Sequence, residues 1–161
     1  MKRLIWPALL VAGLTLAACG GTTASPGGNP TASPAAAPDI TTASITVAGR
    51  SVTVLKNPKG LTLYYFTPDT SAKVACTGAC ATNWPPLIAT SDTPSASPTL
   101  PGKLTVLNGA NGKQILYNGH PLYMFARDSG QADALGQGIG GKWFVATPDL
   151  AVAPSAAKYN Y

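Results

Sequence analysis

Leu63-Tyr64-Tyr65-Phe66-Thr67-Pro68-Asp69 decides the reading of this chain, because the stretch occurs twice. Its second copy is Leu122-Tyr123-Met124-Phe125-Ala126-Arg127-Asp128, and both fit Leu-Tyr-x-Phe-x-x-Asp. Tyr64 and Tyr123, Phe66 and Phe125, and Asp69 and Asp128 all lie 59 positions apart, and the same spacing joins Trp84 to Trp143. A spacing that persists this far beyond a short motif marks a duplicated unit. It also sets Cys76 and Cys80 opposite Leu135 and Ile139. Charged residues are few, Glu is absent, and Gly and Pro are abundant, which favours short strands and turns over helices. The chain is therefore expected to form one all-β domain at 41–161, built from two related repeats at about 51–90 and 103–149.

The first repeat opens on two β-branched alternating runs, Ser44 to Val47 and Ser51 to Leu55, separated by Ala48-Gly49-Arg50, a hairpin signal. Asn57-Pro58-Lys59-Gly60 reads as a turn. Leu61 to Phe66 follows as a strand, with Leu61, Leu63 and Tyr65 on one face and Thr62, Tyr64 and Phe66 on the other. Tyr64 and Phe66 then serve as core or cross-strand packing, and Asp69 caps a turn through its carboxylate. Leu104-Thr105-Val106-Leu107 echoes Val52-Thr53-Val54-Leu55 at a spacing of 52, so the second repeat is expected to carry an added hairpin turn and strand before its motif. Asn118-Gly119 marks a tight turn. Ala89 to Pro101 is a polar Ser/Pro-rich connector, and the tail from Pro148 is expected to be loose.

The N-terminus points to location. Met1-Lys2-Arg3 is a short basic segment and Leu4 to Leu16 an apolar one, together a secretory signal at 1–18. The run is shorter than the roughly 20 residues a spanning helix needs. Leu16-Ala17-Ala18-Cys19 resembles the bacterial lipobox, which implies cleavage before Cys19 and its acylation. Two or more chains, at about 0.8 kcal/mol per buried methylene, give stable anchorage. Residues 19–40, rich in Gly, Ser, Thr, Ala and Pro, read as a lipidated cysteine and a disordered tether. In that extracytoplasmic setting Cys76 and Cys80 are expected to be joined, with Leu135 and Ile139 supplying buried apolar volume at the matching places of the second repeat. The membrane is thus the expected partner, through the lipid. The basic residues are scattered rather than clustered, which argues against nucleic acid.

Taken together, Leu-Tyr-Tyr-Phe-Thr-Pro-Asp at 63–69, Cys-Thr-Gly-Ala-Cys-Ala-Thr-Asn-Trp-Pro-Pro-Leu at 76–87, Tyr-Asn-Gly-His-Pro-Leu-Tyr at 117–123 and Gly-Lys-Trp-Phe at 141–144 resemble the bacterial secreted-repeat lipoproteins. That resemblance implies repeats carrying a Tyr-x-(aromatic)-x-x-Asp motif, envelope location and a biochemical role left undetermined. It places Tyr64, Phe66, Asp69 and Trp84 in one repeat and Tyr123, Phe125, Asp128 and Trp143 in the other.

The leading functional expectation is a non-catalytic binding or structural module without a cofactor. One His, no Glu and no Gly-x-Ser-x-Gly elbow leave no hydrolase constellation, and Gly130 to Gly141 lacks the strand-then-helix setting of a phosphate loop. The alternative is an extracytoplasmic copper or redox protein, since Cys76, Cys80, His120 and Met124 are the soft ligands such a site would use. A third possibility, an enzyme with Asp69 and Asp128 as paired carboxylates, requires the two to meet across the repeat interface.

Overall fold

The computed structural model describes residues 37–154. The expected signal at 1–18, the expected lipidation site Cys19 and most of the expected tether at 19–40 lie outside the described residues. The domain is mainly β, with two sheets and almost no helix. β1 (Ile40–Val47) and β2 (Arg50–Lys56) form an antiparallel hairpin. β3 (Tyr64–Phe66) carries the first motif, and α1 (Ala79–Asn83) follows it. Next come β4 (Ala96–Ser97), β5 (Leu104–Gly109), β6 (Gly112–Tyr117), β7 (His120–Tyr123) and β8 (Trp143–Val145). One sheet has the order β2-β1-β4 and the other β5-β6-β7-β3-β8. The Ser/Pro-rich connector thus contributes a strand, because Ala96 and Ser97 pair in parallel with Ile40 and Thr41.

The turns follow local chemistry. Ala48-Gly49 and Asn118-Gly119 both have positive φ at both central positions, the geometry that matches the twist of flanking strands. The Asn57 carboxamide oxygen accepts the amides of Lys59 and Leu61, each at 2.9 Å. That holds the turn as far as Leu61, so β3 begins at Tyr64 rather than Leu61, with only an isolated bridge from Thr62 to Lys56 before it.

No hairpin is added to the second repeat. The β5–β6 hairpin leads into β7 as β1–β2 leads into β3, and β6 stands where β2 does. Leu55 donates its amide to Ala146 and Ile115 donates its amide to Leu87, both at 2.8 Å, and the two acceptors are 59 positions apart. The echo at a spacing of 52 misleads because alternating β-branched residues fit any half-buried strand and carry no register.

Both faces of β3 and β7 are covered. Tyr64, Trp84, Tyr123, Phe125 and Trp143 pack with Ile45, Val54 and Cys76 on one side, joined by the partly buried Phe66. Leu63, Leu122, Leu55, Ile115 and Tyr117 pack on the other, joined by Tyr65 and Met124. The tail is not loose as far as Ala153. Tyr117 donates its hydroxyl to the Pro148 carbonyl, Asn118 its side-chain amide to Leu150 at 2.7 Å, and Ala153 its backbone amide to Asn118 at 2.8 Å. An Ala-rich composition hides this, because the bonds use the tail's backbone.

Candidate aromatic site on the repeat axis

The motif tyrosines are direct cross-strand partners, Tyr64 opposite Tyr123 in the β3–β7 pair. Both are fully buried, and each sends its hydroxyl into the other repeat. Tyr64 donates to Asp128 Oδ2 at 2.6 Å, and Tyr123 donates to Asp69 Oδ2 at 2.7 Å. The second oxygen of each carboxylate accepts a backbone amide of its own repeat, Ala75 for Asp69 at 2.6 Å and Leu135 for Asp128 at 3.1 Å. The aspartates thus do more than cap a local turn. They share no hydrogen-bond partner with each other, and each is engaged by a separate tyrosine.

The phenylalanine–tryptophan stacks are exchanged in the same way, while each tyrosine meets the tryptophan of its own repeat. Phe66 stacks on Trp143 with centroids 4.3 Å apart, and Phe125 stacks on Trp84 at 4.4 Å. Tyr64 meets Trp84 edge-on at 5.5 Å, and Tyr123 meets Trp143 at 5.2 Å. Backbone bonds repeat the pattern: Thr67 to Lys142 and Ala126 to Asn83, Ala146 to Leu63 and Leu87 to Leu122. These pairs define an approximate twofold axis between Tyr64 and Tyr123. On that axis Trp84 and Trp143 lie face to face, with centroids 3.7 Å apart and planes within 1° of parallel. The result is one continuous stack, Phe125–Trp84–Trp143–Phe66. Gly136 closes on it so tightly that a Cβ would fall 2.8 Å from both the Trp84 and the Tyr64 ring.

Burial dominates the electrostatics of these groups. It raises the pKa of Asp69, although the Ala75 amide and the Tyr123 hydroxyl work against it. It raises Asp128 likewise, opposed mainly by the Tyr64 hydrogen bond. Both phenols are pushed up strongly, first by burial and then by their hydrogen bonds to the carboxylates. Lys56, also buried, donates to Thr62 Oγ1 at 2.8 Å and to the Gln131 carbonyl at 2.7 Å. Its pKa is lowered by burial against the pull of Asp128 and Asp133.

Cys76 and Cys80 form a disulfide. The matching residues do not supply buried apolar volume: Leu135 is 60% exposed and Ile139 38% exposed. The loop from Asp128 to Trp143 is instead held by polar bonds. Asp133 accepts the amides of Ser129 and Gly130, and Gln137 accepts the amide of Val145. The residues expected to bind copper are not gathered. The cysteines are spent in the disulfide, and Cys76 belongs to the tyrosine–tryptophan cluster while Met124 packs against the opposite one. His120 is buried, donates from Nε2 to the Ala151 carbonyl at 3.1 Å, and lies against Tyr65 at 4.9 Å. Among the described residues, no three His, Cys, Asp or Glu side chains are placed to share a metal ion.

Over the end of the axis lies a half-open groove of about 440 Å³ lined by Cys80, Asn83, Trp84, Phe125, Arg127 and Ile139. Cys80 and Ile139 are equivalent positions of the two repeats, so the groove straddles the axis. A larger hollow of about 550 Å³ at Val52, Thr53, Thr147, Pro148 and Asp149 has neither an aromatic nor a cationic side chain. Sequence reasoning singled out Trp84 and Phe125 as packing residues but missed Asn83, Arg127 and the groove. Their only signal is position, each standing next to or two residues from a motif aromatic.

Residues 46–88 and 105–147 each match the model of a lipoprotein family described as a secreted repeat of unknown function, and together they make up just over half of the chain. The starts of the two matched segments are again 59 residues apart. No curated protein matches the chain, and no solved structure matches it.

Proposed function

The chain belongs to this family of secreted repeats, and from that premise we propose that it is a non-catalytic binding module of the bacterial cell envelope, anchored through a lipid on Cys19. The observation that carries the reading is the groove on the repeat axis. Its floor is the edge of a rigid aromatic stack, its rim carries a cation at Arg127 and an amide at Asn83, and its flank offers exposed Ile139. An apolar floor with a few polar groups at the rim is the usual make-up of a ligand site. The Tyr-x-(aromatic)-x-x-Asp motif is in this reading a structural signature: its Tyr and Asp are what each repeat offers the other, and they hold the floor still. The tether would let the groove work some tens of ångströms from the bilayer.

The reading is tested in intact cells by placing a photo-crosslinking side chain at Ile139 and, as a control, at Arg50, the exposed first residue of β2. A discrete crosslinked product at Ile139 that is absent at Arg50, and lost when Arg127→Ala is added, is expected. Equal labelling at both positions would refute the groove. Separately, Cys19→Ser is expected to move the protein from the membrane to the soluble fraction, and retention on the membrane would refute the anchor.

A further inference from the structure

The stack departs from the geometry that aromatic pairs prefer. Neutral aromatic rings prefer offset or edge-on contacts, with centroids 4.5–7 Å apart, over a face-to-face sandwich. Trp84 and Trp143 are parallel at 3.7 Å, and each is backed by a phenylalanine on its outer face. That arrangement is not the one two neutral indoles prefer, but it suits an indole pair that has lost one electron, because the positive charge spreads over both rings. The neighbouring groups fit the same chemistry. Each indole is touched edge-on by a tyrosine, and each tyrosine hydroxyl already points its proton at a buried carboxylate oxygen, at 2.6 Å and 2.7 Å. A phenol gives up an electron readily only if its proton can leave at the same time, and a carboxylate at hydrogen-bond distance is where it can go. The stack is also within reach of the outside, since Trp84 and Phe125 line the groove.

We propose that the tryptophan pair and its two tyrosine–aspartate pairs form a one-electron relay. A diffusible one-electron oxidant at the groove removes an electron from the Trp84–Trp143 pair and is itself reduced. An electron then passes from Tyr64 or Tyr123 to the oxidised pair, while the phenolic proton moves to Asp128 or Asp69. This leaves a neutral tyrosyl radical and a protonated carboxyl. A hydroquinone-class reductant returns the electron, losing its own proton to solvent, and the carboxyl returns the proton to the phenol. The raised pKa values of both aspartates make them better proton acceptors than exposed carboxylates. The relay would add electron transfer to the binding role proposed above, with the Tyr–Asp pairs serving both, and it does not depend on what else the groove binds.

The test is pulse radiolysis of the full chain with azide radicals, which oxidise indoles by one electron. The indolyl radical should convert to a tyrosyl radical in a first-order step whose rate does not change with protein concentration and is slower in heavy water. Tyr64→Phe combined with Tyr123→Phe should remove this step, leaving only slower transfer to the remaining tyrosines. Asp69→Asn combined with Asp128→Asn should slow it by about tenfold or more, with near-ultraviolet circular dichroism reporting that the indole stack is intact. A rate that rises with protein concentration overturns the proposal, as does a rate unchanged in a folded Asn variant. Should the variants fail to fold, the wild-type chain decides: absence of a solvent isotope effect also overturns it.

Discussion

The two loops that follow the motif, from Asp69 to Trp84 and from Asp128 to Trp143, do the same task by different means. Each must carry the chain from a buried carboxylate to a tryptophan on the axis. The first does it with a disulfide and a five-residue helix that starts where Gly78 bends the chain at a φ of 56°. The second does it with Asp133 and Gln137 accepting backbone amides, with several glycines at positive φ and a short 3-10 turn at Ile139–Gly141. Despite this, the rings they deliver match to within a few tenths of an ångström in their stacking distances. The exchanged contacts across the axis therefore set the aromatic geometry, and the loops only have to reach it.

The largest test of that equivalence is to remove each tryptophan in turn. Trp84→Ala and Trp143→Ala should each cost about 3–5 kcal/mol in chemical denaturation, and the two losses should agree within about 0.5 kcal/mol, the margin at which independent sites add. A clear gap would show that one loop, not the axis, holds the stack. Next come the exchanged hydroxyls. Tyr64→Phe and Tyr123→Phe each strip a buried carboxylate of a donor and should each cost about 1–3 kcal/mol. Because each bond crosses the axis, amide exchange should quicken around the aspartate of the other repeat and not only around the mutated residue.

The disulfide then separates the halves. Reduction, or Cys76→Ala with Cys80→Ala, should cost about 2 kcal/mol by the chain-entropy estimate for so short a loop. Amide exchange should quicken across 70–84 while 129–142 stays protected, and equal loosening of both loops would contradict the comparison.

The smallest effect is with pH. Burial lowers the pKa of His120 in the folded protein, so the unfolded chain binds its proton first. Stability from this group is fully present above the ordinary histidine range and falls as pH drops through about 6.5. Tyr65 and the Ala151 carbonyl touch the ring, and Asp69 is the charge acting on it. Asp69 and Asp128 act in the opposite sense. Their folded pKa values are raised, so they take up protons before the unfolded chain does and do not drive acid unfolding. A His120→Gln variant should lose the decline between about pH 7 and 6, measured as thermal midpoint against pH.

Much of this was legible in the sequence. The spacing of 59 carried the duplication, and a tyrosine, a phenylalanine, an aspartate and a tryptophan at fixed places carried the aromatic frame. The cysteine pair was readable from its setting and the Asn118-Gly119 turn from its φ requirement. What sequence could not carry was partnership across the axis. Nothing in Tyr64 says that its hydroxyl belongs to Asp128 rather than to Asp69, since both are five residues from a motif tyrosine. Register was lost for the same reason, because Val52 to Leu55 and Leu104 to Leu107 look alike without being equivalent. Leu135 and Ile139 were misplaced since a side chain's type does not reveal whether hydrogen bonds have already fixed its loop with the chain turned outward. Lys56 shows the converse, a charged residue buried because Thr62 and the Gln131 carbonyl receive it.

The crossed Tyr–Asp bonds also bear on ancestry. A single repeat would expose a tyrosine lacking its acceptor, an aspartate lacking its donor and one bare indole face, which is a self-complementary surface of the kind that closes homodimers about a twofold axis. The present domain has the arrangement of such a homodimer with its subunits joined end to end. A chain cut between the repeats should reassemble by mixing its fragments, and two intact chains share the surfaces needed to trade halves.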